Sequence, residues 1–170
     1  MNENVFQSSS LLLSIWRDIN AACFNSELHE PVIGWIDLSD EEEGSEPYGM
    51  YVPRAGSIGI SARFRSTVEA EEKALSEHAD TVGPSKIDKA KSMPQSPAVE
   101  LVYRLVMHET AHQASHQLGG ISGGHGEPFL AQARRISQAM NLPEPTLKDL
   151  DQWPTVTPFV VQLMREGKLE

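Results

Sequence analysis

The sequence predicts an α+β fold, a small three-stranded antiparallel sheet packed on helices, and three observations carry that expectation. Apolar residues between positions 11 and 24 recur at i, i+3/i+4 and i+7. Three short extended stretches follow, the last two joined by the hairpin-length Pro53-Arg54-Ala55-Gly56. A strongly apolar helix then opens at Ser96-Pro97.

In chain order, Ser8–Ser10 supply the cap of a first helix over roughly Leu11–Phe24, with Leu12, Ile15, Trp16, Ile19 and Cys23 on its apolar face. Extended segments are expected at Val32–Leu38, Tyr48–Val52 and Ser57–Ile60, and an antiparallel meander is their economical arrangement. The first two are separated by an acidic loop. Residues Thr67–Ala79 read as an exposed helix, and Thr81–Gln95, with Gly83, Pro84 and Pro94, as a mobile loop or lid. In the next helix Ser96 is the N-cap, Val99 to Met107 is too apolar for a surface position, and Gly119-Gly120 is the stop. This helix is expected to cross the core. A loop Ile121–Gly126 leads to a helix from about Glu127-Pro128 to Met140-Asn141, and a short helix Phe159–Arg165 follows the proline-rich 143–158.

At 170 residues the chain fits one domain with one core. A single cysteine, Cys23, excludes an internal disulfide framework and a four-cysteine zinc ribbon, and suits a reducing, cytoplasmic setting. Residues 1–7 carry no Lys or Arg, and Leu11–Trp16 is too short for a signal-peptide core or a membrane span. The net charge of −10, crowded at Asp37–Glu46, makes a poor unaided binder of nucleic acid or anionic membrane.

The chemistry concentrates at His108-Glu109-Thr110-Ala111-His112, an H-E-x-x-H sequence inside the apolar helix. Residues four apart on a helix lie about 40° apart around the axis and about 6 Å along it, so two imidazoles converge on one metal ion. Glu109, beside the first ligand, reaches the water that a metal activates and acts as general base. The pattern alone has limited specificity. Its place in the middle of the best-defined helix strengthens it.

A catalytic zinc takes three protein ligands and keeps one position open. His116, Glu127 and His125 compete for the third place. His116 is one more turn along the same helix, and three rings spaced i, i+4, i+8 spread over about 12 Å of axis, so it reads as a helix-surface or neighbouring residue. Glu127 would complete a two-His-plus-Glu set but follows His112 by only 15 residues. His125 stands in Gly123-Gly124-His125-Gly126, where glycines let the chain fold back under the helix.

His108-Glu109-x-x-His112 followed by Gly124-His125-Gly126-Glu127-Pro128-Phe129 resembles the SprT-like zinc metallopeptidases, the Spartan-type family. Looser similarity runs through Trp16–Asn20, Phe24–Leu28, Val32–Trp35 and Ile58–Ser61, so the likeness spans about residues 10–142. The resemblance implies that His108, His112 and His125 hold one Zn2+ per chain, with Glu109 as catalytic acid/base. It also implies a zincin-like fold with the active-site helix beneath the sheet. Within residues 1–170 it leaves an insertion at about 65–95 and a C-terminal extension from about 143. The absence of the cysteine ribbon that many relatives carry, the acidic charge and the 65–95 stretch are departures that weigh against carrying over their DNA-repair role.

The expected function is that of a zinc metallohydrolase, a peptidase with protein or peptide substrates. The alternatives are a non-catalytic, metal-stabilised binding module and a regulatory subunit whose acidic surface meets a basic partner. Tyr48, Tyr51, His116 and Arg134 are equal candidates to stabilise the oxyanion.

Overall fold

A computed structural model describes residues 6–37, 48–70, 73, 97–121 and 123–154. The chain divides into two compact units: residues 1–62 with 104–155, and residues 63–103 with 156–170. The fold is α+β with a mixed sheet.

The first unit holds strand β1 (Gln7–Ser8), helix α1 (Ser10–Phe24) and strands β2 (Val32–Ile36), β3 (Gly49–Val52) and β4 (Ser57–Ser61). Helix α2 (Pro97–Gly119) begins in the second unit and runs into the first, where helix α3 (Glu127–Met140) and a 3-10 turn (Leu150–Gln152) follow. Ser9 caps α1 by accepting the Leu12 amide at 3.3 Å, and Asn25 ends it at φ 51°. The apolar stripe expected there is buried, from Leu12 to Phe24, and α1 packs on α3 and β2.

The sheet corrects the expected three-stranded antiparallel meander. It has four strands in the order β1-β2-β4-β3, with β2 parallel to β4 and β3 antiparallel to β4. Burial explains the order. In β4, Ile58, Gly59, Ile60 and Ser61 are all buried, which suits a central strand, whereas Gly49–Tyr51 of β3 are half-buried and Val52 is exposed, which suits an edge. Residues 37–56 carry the chain from β2 around to β4, long enough for a parallel connection. The extra strand β1 crosses Gly34, where a Cβ would stand 2.2 Å from the Gln7 carbonyl oxygen, so only glycine admits it.

In α2, Val106, Met107, Thr110, Ala111, Gln113 and Ala114 are buried. Gln113 ties the helix down, accepting the Trp16 indole N–H at 2.8 Å and donating to the His29 carbonyl at 2.7 Å. Gly120, at φ 68°, ends it: the Gly120 and Ile121 amides return to the carbonyls of His116 and Ser115. Helix α3 starts after Gly126 and closes at Asn141, as the pattern predicts.

In the second unit, residues 65–70 are helical, and Phe64, Val68, Ala98, Val99, Leu101 and Val102 are buried. Most of the expected helix Thr67–Ala79, the stretch Thr81–Gln95, the Ser96 cap and the helix Phe159–Arg165 lie outside the described residues. Among those described, no helix is long and apolar enough to cross a membrane.

Candidate metal centre

Every residue of the site belongs to the first unit. His108 and His112 stand one turn apart on α2, and His125 is delivered by Gly123 (φ 86°) and Gly124 (φ 74°), a left-handed pair that turns the chain back after the helix. Donor atoms of His108, His112 and His125 lie within 4.8 Å of one another, close enough to hold a metal ion. His125 Nε2 is 3.0 Å from His108 Nε2 and 3.1 Å from His112 Nε2. Two nitrogens bound to one tetrahedral ion at 2.0–2.1 Å stand about 3.3 Å apart, so the three imidazoles fit such an ion after small adjustments.

The tautomers support the same reading. His108 Nδ1 is 2.5 Å from the Trp153 carbonyl oxygen, and His125 Nδ1 is 2.5 Å from Asp151 Oδ1. Both acceptors call for an N–H on Nδ1, which leaves each neutral ring with its lone pair on Nε2. Burial, with smaller opposing help from the Trp153 carbonyl, pushes the His108 pKa down to about 4. Burial followed by the neighbouring imidazoles takes His112 down to about 3. Burial thus disfavours the protonated forms of His108 and His112, and the three rings lie close enough to hold a cation between them.

Phe129 is the floor beneath the rings. It is 1% exposed, and its centroid lies 5.0, 4.4 and 4.8 Å from those of His108, His112 and His125. This contact gives a physical reason for a phenylalanine four residues after the third histidine.

Glu109 is 5% exposed, and its carboxylate accepts the backbone N–H of Tyr51 in β3. The fit is close: a Cβ at Gly49 would stand 3.1 Å from Glu109 Oε1. Desolvation, against the weaker pull of the Tyr51 amide, pushes its pKa up to about 8. A divalent cation beside it reverses that environment and favours the carboxylate.

A pH dependence follows for protein held in chelator. The unfolded chain sheds the Glu109 proton above about pH 4.5, whereas the folded chain keeps it to about 8. Stability from this group is therefore complete below pH 4.5 and drains away as pH rises through 8. His108 and His112 act oppositely, their contribution being present above pH 6.5 and lost towards 4 and 3. Thermal melts of wild type and Glu109→Gln should diverge from pH 5 to pH 8, the wild type losing on the order of a few kcal/mol relative to the variant. A gap independent of pH contradicts this.

The other candidates stand elsewhere. His116 Nδ1 meets the Tyr51 hydroxyl at 2.9 Å, outside the three-histidine group. Glu127 is exposed in the first turn of α3, and Tyr48 and Arg134 are exposed. Asp151, the Trp153 carbonyl and the Tyr51 amide carry no mark in the sequence that ties them to the motif. A tryptophan in a proline-rich stretch was the one hint that this segment is anchored. No known protein family, curated protein or solved structure matches the chain.

Proposed function

We propose that the chain is a zinc-dependent hydrolase of the H-E-x-x-H type, a peptidase similar in its centre to the SprT-like family. The observation that carries this reading is the convergence of three Nε2 atoms, from His108, His112 and His125, with the Glu109 carboxyl one residue from the first ligand. Three imidazoles suit zinc, and a set of three is that of a catalytic rather than a closed structural site. When bound there, zinc would polarise the scissile carbonyl and make water a competent nucleophile near neutral pH.

Glu109 takes the proton of the attacking water and delivers it to the departing amine. Tyr51 orients that carboxylate through its amide. The Trp153 carbonyl and Asp151 hold His108 and His125 in the tautomer that a cation needs.

Peptide, rather than a small amide, is favoured by the sheet edge beside Glu109. Ser61 donates to the Tyr48 carbonyl, so alternation along the antiparallel pair turns the Gly49 and Tyr51 N–H groups away from β4. The Tyr51 N–H meets Glu109 on that side. Among the described residues no strand pairs with this edge of β3. With the Tyr51 N–H taken by Glu109, an extended peptide adding along this edge would use the Gly49 N–H and the outward carbonyls of Gly49 and Tyr51, main-chain hydrogen bonds supplying affinity beside Glu109.

The test is digestion of a denatured protein substrate. Purified protein should cut it, lose the activity to a chelator and recover it with one equivalent of zinc. A zinc-loaded protein that leaves unfolded substrates and model peptides intact would refute the peptidase reading.

A further inference from the structure

We infer that the turn Asp149–Trp153 is part of the metal site, with Asp151 a positioning residue for His125, so that metal binding and docking of this turn stabilise each other; this rests on the hydrolase reading above. The turn lies 26 residues beyond the third histidine, at Asp151, and outside the H-E-x-x-H motif.

The turn is built as a rigid part. Leu150 and Trp153 are buried at 1% and 4% exposure, and the Trp153 indole donates to Ser137 Oγ on α3 at 3.0 Å. Thr146 Oγ1 donates to Asp149 Oδ2 at 2.7 Å, and the amides of Asp149, Gln152 and Trp153 close successive turns. Between the two anchors stands Asp151, with a side chain 84% exposed and Oδ1 at 2.5 Å from His125 Nδ1. Two residues on, the Trp153 carbonyl meets His108 Nδ1. One short segment therefore grips two of the three imidazoles from behind.

An exposed carboxylate beside an imidazole contributes little to folding, because water screens the pair. Its contribution grows when Nε2 carries a cation. The Nδ1–H then becomes a stronger donor, and the acceptor both fixes the ring and raises its basicity. By reciprocity, whatever affinity the turn adds to the metal, the metal returns to the docking of the turn.

The experiment compares wild type, Asp151→Asn and Asp151→Ala. Zinc affinity is read by competition with a chromogenic chelator, and stability by thermal melts in chelator. Asp151→Ala should bind zinc about 10- to 100-fold more weakly, and Asp151→Asn, which keeps an acceptor oxygen, less so. The chelated melting temperatures should coincide. In wild type, zinc should slow tryptic cleavage after the exposed Lys148, and Asp151→Ala should need correspondingly more zinc for the same protection. Unchanged zinc affinity in Asp151→Ala overturns the inference. So does a fall in affinity matched by a fall in chelated stability, which would make Asp151 a residue of the fold alone. Wild type that takes up no zinc overturns the hydrolase reading itself, before any variant is compared.

Discussion

Glu109→Gln is expected to lower turnover of a denatured protein substrate by at least about a thousand-fold while leaving the zinc content unchanged. Glutamine keeps the shape in a place where a Gly49 Cβ would stand only 3.1 Å from Oε1, and its amide oxygen can still accept the Tyr51 N–H. It cannot take up and return a proton. The three imidazoles are untouched, so metal retention separates loss of chemistry from loss of the site. Turnover assays with metal analysis of the same preparations check this. A Gln variant as active as wild type removes Glu109 from the mechanism.

The second large effect is expected at His125. His125→Ala should weaken zinc retention by at least about 100-fold, because it removes one of three ligands and the ring that faces both others at 3.0 and 3.1 Å. His116→Ala deletes the same chemical group from the same helix as His108 and His112, yet its ring lies on the Tyr51 hydroxyl. Its zinc affinity should stay within a few-fold of wild type. Competition titrations of the two variants compare like with like, and the reverse ranking would redraw the ligand set.

What the sequence made legible was local. Helix α1 follows from the Leu12–Cys23 stripe and its serine cap, and the end of α2 from Gly119-Gly120. The pairing of His108 with His112 follows from helical pitch. His125 was one of three candidates for the third place, singled out only by the family resemblance, and the positive φ angles of Gly123 and Gly124 perform the reversal that brings it beside the other two rings.

The sheet order was not legible. Strand pairing is a choice among distant segments, and β1, two residues long, is too short to carry a period. The preference of β4 for the centre rests on burial of both its faces, which the short run Ser57–Ser61 expresses only after folding. The acceptors behind the imidazoles were hidden for the same reason. Asp151 and Trp153 reach His125 and His108 across 26 and 45 residues, and a backbone carbonyl or amide leaves no trace in residue identity.

The central claim is that three imidazoles hold one catalytic ion. X-ray absorption at the zinc edge, on protein loaded and freed of excess metal, tests it most directly. The expected result is one zinc per chain, with three imidazole nitrogens and one further light atom at about 2.0–2.1 Å. Protein that retains no zinc, or a shell with fewer than three imidazoles, would contradict it.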